Sequence, residues 1–369
     1  MTPDLPSEKG RVSILDTVRA VAVLGVIAAH SLSASVSVTQ SSSLPKSIFM
    51  LFDYGQFGVQ VFFSLSGWLI FSLYYRNSSQ IKSSHYWARR VARIWPLWAV
   101  FILIYFAIYP IDTGGLPAWF AIILSLLFLG WTVGTLVGVP TGGLTIQQEM
   151  GHYAMFWLFR KRGVDFFLTS VILGYATFFL ARWIVSLPTS GEYVQGAMTA
   201  WLRLSLFTSW PFFVFGGLTY LAFTALSLKP STGRIVFSYR TGVLLLIVLI
   251  FGSQILYAQE TPSYFVAGFV ALSIFLGIAI DRIPRLNAVF WSIGRYSYFM
   301  YFFHFLVLRQ LEVVYRHIFG SEPSTSPLWN ILVLVGMFLV STAISWSVAW
   351  ISWRIFENPI LRTARAKYQ

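Results

Sequence analysis

The sequence predicts an all-α, polytopic transmembrane bundle of about ten full crossings plus one re-entrant or partial segment, and three observations predict it. Hydrophobic residues make up 57% of the 369-residue chain, charged residues only 11%, and the mean hydropathy is +0.70. A soluble domain carries roughly twice that share of charge. Apolar runs recur along the whole length with short connections, and the basic residues fall in clusters between them. About 20 apolar residues cross a hydrocarbon core of roughly 30 Å, so the chain has room for on the order of ten spans and none for a sizeable soluble domain.

The runs lie at 14–32, 57–75, 94–109, 119–139, 145–159, 164–185, 204–228, 241–257, 264–280, 293–311 and 328–353. Basic loops stay in the cytoplasm. Six clusters, Lys9/Arg11, Arg76 to Arg93, Arg160 to Arg162, Lys229 to Arg240, Arg282 to Arg295 and Arg354 to Lys367, hold 20 of the 26 Lys and Arg residues. They alternate with acidic or neutral loops, with one conflict. Three apolar runs separate Arg93 from Arg160, and three crossings would put Arg160 to Arg162 outside. One of the three is therefore expected not to span, and the glycine-broken stretch Trp119 to Gly143 is the prime candidate, because irregular backbone at that depth needs cover from protein or water. The result is one integral membrane domain over 1–369, with tails 1–12 and 356–369 both cytoplasmic. Residues 1–10 lack the apolar core of a signal peptide, so the first span is expected to be retained.

The net charge of +13 reflects these basic loops and does not point to nucleic acid. The chain has no cysteine, which excludes disulfides, thiolate metal sites and any acyl group parked on a protein thiol. No metal site and no bound cofactor is expected.

Ionisable side chains at membrane depth are costly, and each is a functional candidate. In the first run, Arg19 and His30 are eleven residues apart, about 1100° of helix and within about 20° of three whole turns, so they share a face about 16 Å apart. A neutral imidazole there can take a proton from an attacking hydroxyl, since its reference pKa of about 6.5 is close to working pH. In the stretch from Gly58 to Ile70, the small residues Ser66 and Gly67 allow close helix approach or leave room for a substrate. Arg89, Arg90 and Arg93 stand within one and a half turns at a cytoplasmic mouth, where guanidinium forks suit phosphates. Glu149 begins the return towards the cytoplasm, so it is expected near the outer face, able to orient an imidazole or a sugar hydroxyl. His304 lies two turns or more inside its span. Such residues in a bundle also suit a transporter or flippase of a polar substrate, but that class favours internal repeats and paired broken helices, and neither is found.

In order, these motifs resemble the membrane-bound acyltransferase family 3, whose bacterial members acylate surface polysaccharides. The resemblance runs from Leu15 to Pro359. Its most specific element is arginine, ten residues, then histidine, here Arg19 and His30 after Leu15-Asp16. It is supported by Phe62-Phe63-Ser64-Leu65-Ser66-Gly67, by Arg89 to Pro96, by Ser297-Tyr298 ahead of His304, and by Phe356-Glu357-Asn358-Pro359. One departure is that Leu144-Thr145-Ile146 stands where the family has a tryptophan, serine, leucine run before its glutamate, while Glu149 and Tyr153 remain.

The resemblance implies a bacterial inner-membrane enzyme that moves an acetyl or succinyl-type group from cytoplasmic acyl-CoA to a hydroxyl of a carbohydrate. It implies His30 and Glu149 as catalytic residues, and Arg19, Ser66, Gly67, Arg89, Arg90, Arg93, Tyr298 and His304 as the substrate-binding set. A small lipid or antibiotic acceptor is the alternative to a glycan.

Overall fold

The structure is a computed structural model that describes residues 13–40, 43–76, 81–109, 117–129, 143–186, 206–227, 284–320 and 322–367. The described residues are all-helical: α1 (Ser13–Thr39), α2 (Lys46–Asp53), a 3-10 turn (Tyr54–Phe57), α3 (Gly58–Arg76), α4 (Ser83–Ile108), α5 (Ala118–Leu126), α6 (Gly143–Phe159), α7 (Val164–Ser186), α8 (Leu206–Ser227), α9 (Pro284–Phe319), α10 (Pro327–Ser352), a π turn (Trp353–Glu357) and α11 (Asn358–Lys367). Four helical stretches among them are long and apolar enough to cross a membrane: Leu15–Thr39, Lys46–Tyr75, Ser83–Ile108 and Pro327–Thr363. The protein is a helical membrane protein. Two of the eleven apolar runs, 241–257 and 264–280, and the basic cluster Lys229 to Arg240 lie outside the described residues, so the expectation of about ten crossings extends beyond them.

α1 is the centre of the bundle. It packs along α9, and also against α10, α3 and the 3-10 turn. Its side chains are buried nearly all round, including Ala20, Ala22, Val23, Val26 and Ile27, as expected for a helix enclosed by others. The two backbones come close at Gly294, where an added β-carbon would stand 1.8 Å from the Asp16 carbonyl oxygen.

The α3–α8 crossing uses the same device reciprocally. A β-carbon on Gly67 would lie 1.8 Å from the Phe213 carbonyl oxygen, and one on Gly216 would lie 1.9 Å from that of Ser64. Small residues let two backbones touch, which compensates for the weak hydrophobic drive between helices in lipid. Gly67 was a candidate for leaving room for substrate; the structure puts it to work as a packing residue.

The stretch expected to fall short of a full crossing begins as α5, nine residues long and so about 14 Å, less than half the hydrocarbon thickness. Phe128 takes up the left-handed conformation at φ 61°, and the Leu129 and Phe128 amides turn back onto the Leu124 and Ser125 carbonyls at 2.7 and 3.0 Å. This closes the helix C-terminus without glycine. The indole N–H groups of Trp98 and Trp95 on α4 donate to the Ser125 and Leu126 carbonyls at 2.7 and 3.2 Å. Helix-end carbonyls at this depth are thus satisfied by protein, as they must be in lipid. Residues 130–142 of the same stretch lie outside the described residues.

At the carboxyl end, 356–369 was expected to be a tail. The chain stays helical through Lys367, and α11 lies against α4. At the start of α10, Ser326 caps the helix by accepting from the Trp329 amide, with Pro327 in the first turn.

Gly67→Val should destabilise the detergent-solubilised protein by about 3 kcal/mol, the upper range for overpacking, seen as a lower melting temperature and loss of the monodisperse peak in size exclusion. Gly336→Val, whose added carbons meet open space, should behave as wild type.

Candidate functional site

A cavity of about 210 Å³ opens among α1, α3, α4, α6 and α9, lined by residues that include Arg19, Ser66, Arg89, Arg90, Arg93, Glu149 and Tyr298. Seven of the ten residues singled out by sequence therefore meet at one place. Gly67, His30 and His304 do not line it.

The first turns of α1 supply Arg19 with Asp16 one turn before it. The Arg19 guanidinium donates to Asp16 Oδ1 at 2.6 Å, and both side chains are buried. A spacing of three residues places the two on one helix face. A buried charge requires such pairing, so the arginine stays charged on the cavity wall without reaching for water.

α4 brings its three arginines to the mouth. Arg89 and Arg93 are exposed. Arg90 is half-buried, stacked over the Tyr86 ring at 4.1 Å and donating to the Tyr86 carbonyl at 3.1 Å. Its Nε has no hydrogen-bond partner among the described residues. Tyr86 in turn donates to the Tyr153 carbonyl at 3.0 Å, which ties α4 to α6.

α6 provides Glu149, whose Oε1 accepts from Ser66 Oγ at 2.6 Å and from the Tyr153 hydroxyl. Tyr153 follows Glu149 by four residues on the same face, and its hydroxyl also donates to Ser66 Oγ at 3.3 Å. Glu149 was expected near the outer face, able to orient an imidazole or a sugar hydroxyl. The structure places it two turns into α6, in the same cavity as the α4 arginines, with two hydroxyls as partners. Opposite it, Tyr298 from α9 lines the cavity with a buried hydroxyl that has no partner among the described residues.

The two histidines form a separate station. The His30 and His304 rings lie 5.4 Å apart, and His30 also packs on Phe305 at 4.3 Å. His304 is fully buried; its Nδ1 lies 3.0 Å from the Met300 carbonyl and its Nε2 has no partner among the described residues. Because amide carbonyls only accept, Nδ1 carries the proton and Nε2 presents a lone pair.

An aromatic pair joins the stations. Phe62 lines the cavity and meets the Tyr301 ring at 6.1 Å, and Tyr301 meets His304 at 5.9 Å. The Tyr301 hydroxyl donates to Thr145 Oγ1 at 2.8 Å, one helical turn before Glu149.

Sequence reading passed over the roles of Asp16, Tyr153, Tyr301 and Phe62. The i, i+3 step to Arg19 and the i, i+4 step from Glu149 were available as signals for the first two. Nothing local announced the others, which matter only through contacts between helices. Among the described residues no cluster of His, Asp or Glu could hold a metal ion.

A family model described as an acyltransferase domain matches residues 12–350. No curated protein and no solved structure matches the chain.

Asp16→Ala, which leaves Arg19 without its carboxylate, should lower stability by about 3 kcal/mol in thermal unfolding of the solubilised protein. Adding Arg19→Met to that variant should recover part of the loss.

Proposed function

The chain belongs to acyltransferase family 3, matched over residues 12–350, and from that premise we propose that this membrane acyltransferase takes an acetyl or succinyl-type group from acyl-CoA and delivers it to a carbohydrate hydroxyl. The observation that carries the reading is the cavity in which three arginines at the mouth meet a carboxylate and two hydroxyls inside.

Acyl-CoA pairs a phosphate-rich nucleotide with a slender chain ending in a thioester. Arg89 and Arg93 are free to meet the phosphates as bidentate donors, with Arg90 and its unpartnered Nε behind them. At about 210 Å³ the cavity is smaller than the roughly 300–1,000 Å³ of pockets that enclose whole drug-sized ligands. Only the acyl end and its adjoining chain would enter, and the nucleotide would stay at the mouth. Arg19, fixed by Asp16, adds positive charge on the inner wall.

His30 serves as general base on the acceptor side. Its partner His304 is held with Nδ1 protonated by the Met300 carbonyl, so the lone pair on Nε2 can support the imidazolium that forms when His30 takes the acceptor's proton. With a cytoplasmic amino terminus, Arg19 would face the donor side and His30 would lie about 16 Å further along α1. The protein would then sit in a bacterial inner membrane with donor and acceptor on opposite faces.

His30→Ala should lower acyl transfer to the native glycan by about 10²- to 10⁴-fold, the usual worth of a general base, at normal protein levels; transfer at the wild-type rate would sink this role. Arg89→Ala and Arg93→Ala, both at exposed positions, should raise KM for acyl-CoA about tenfold each while leaving kcat within about twofold, the pattern of lost ground-state binding. Steady-state kinetics with varied acyl-CoA separates the two effects.

A further inference from the structure

We infer that Ser66 carries the acyl group as an ester between donor and acceptor, with Glu149 as the base that activates it; this rests on the acyltransferase reading above and specifies its chemical course.

A serine inside a membrane helix ordinarily spends its hydroxyl on its own helix, donating to the carbonyl three or four residues back. Ser31, Ser35, Ser72, Ser297 and Ser341 all do so. Ser64, two residues before Ser66 on α3, does so as well, donating to the Gln60 carbonyl at 2.9 Å. Ser66 departs from this habit. Its hydroxyl leaves α3 and donates at 2.6 Å to a carboxylate 83 residues away in sequence. A nucleophilic hydroxyl within hydrogen-bond reach of a base, with a third group orienting the base, is the arrangement that activates serine. Here the third group is Tyr153, which donates to the same Glu149 oxygen and also reaches Ser66 Oγ.

The surroundings suit a thioester. Ser66 and Glu149 both line the cavity whose mouth holds the arginines, so the reactive end of acyl-CoA enters beside the serine. Tyr298 lines the same cavity with a buried hydroxyl that no described residue occupies. It can donate to the carbonyl oxygen as negative charge gathers there, the role of an oxyanion donor.

The steps balance. Glu149 takes the Ser66 hydroxyl proton as Oγ attacks the thioester carbonyl carbon. The C–S bond breaks, the CoA thiolate leaves, and it receives that proton from Glu149, so CoA–SH departs and an ester remains on Ser66. In the second step the acceptor hydroxyl attacks the ester carbon and the C–O bond to Ser66 breaks. The acceptor's proton, taken first by His30 as the new C–O bond forms, ends on the departing Ser66 Oγ, which returns both residues to their starting states. Phe62, one turn before Ser66 on the same face of α3, touches Tyr301, which touches His304 beside His30. The ester therefore forms one helical turn from the contact that leads to the histidine station.

The test uses the full-length protein in nanodiscs with acetyl-CoA labelled in the acetyl group, and succinyl-CoA in parallel, without any acceptor. The expected result is a burst of free CoA equal to the amount of protein, and label that survives denaturation and maps to the peptide containing Ser66. Ser66→Ala should lose both burst and label. Glu149→Gln, which keeps a hydrogen-bond acceptor but no base, should slow labelling about 100-fold. Because the chain has no other cysteine, Ser66→Cys introduces a unique thiol, and its label should become a thioester released by neutral hydroxylamine. Wild-type protein that binds acyl-CoA and acylates an acceptor without ever carrying label, or Ser66→Ala that transfers at the wild-type rate, would overturn the serine's role and leave the acyltransferase reading standing. Absence of both acyl-CoA binding and CoA release would overturn the two together.

Discussion

A charge held at membrane depth must bring its partner with it, and the Asp16–Arg19 pair on α1 is where this protein meets that demand. Both side chains are buried, and their contact at 2.6 Å gives the guanidinium a carboxylate partner within its own helix. α1 can therefore sit enclosed by α3, α9 and α10 without an uncompensated charge at its start. The Asp16 backbone also lies in close approach to α9, over Gly294. One turn of helix thus fixes an electrostatic pair, a helix contact and one wall of the cavity. Everything further along α1, including the position of His30 against α9, follows from that seating, because a rigid helix transmits its register over three turns.

Polar groups inside the bundle are divided between two stations. The first gathers arginines, a carboxylate and hydroxyls around a cavity; the second is a pair of imidazole rings packed among aromatics. In the proposed reaction the first receives the acyl donor and the second serves the acceptor. Phe62 and Tyr301 stand between them, and Tyr301 is anchored to α6 through Thr145. A partition of this kind has a physical use in acyl transfer. Once its carbonyl is activated, a thioester is open to attack by water as well as by the acceptor, and a low-dielectric site excludes water while strengthening each hydrogen bond made within it.

The helical class and the apolar runs were legible in composition and charge spacing, because lipid leaves the backbone few options. The common face of Arg19 and His30 was legible too, since it depends on one helix alone. So was the arginine cluster, a local feature of α4. What sequence could not reveal depends on which helices meet. Gly67 reads equally well as space for a ligand or as a crossing point, and only the Phe213 carbonyl opposite decides. Glu149 was placed by its position along the chain, whereas its hydrogen-bond partner, Ser66, stands on another helix. The pairing of His30 with His304 joins residues 274 positions apart, and no periodicity within either helix encodes it.

The central claim is that the acyl group enters at the arginine mouth and comes to rest beside Ser66 and Glu149. The most direct measurement is an experimental structure of the protein in nanodiscs with a non-hydrolysable acyl-CoA analogue whose thioester sulfur is replaced by a methylene group. The account predicts phosphate density against Arg89 and Arg93, and the acyl carbonyl carbon within about 3.5 Å of Ser66 Oγ, an attack distance, with its oxygen facing the Tyr298 hydroxyl. An analogue whose acyl end lies outside this cavity, with no density between the arginines and Glu149, would contradict it.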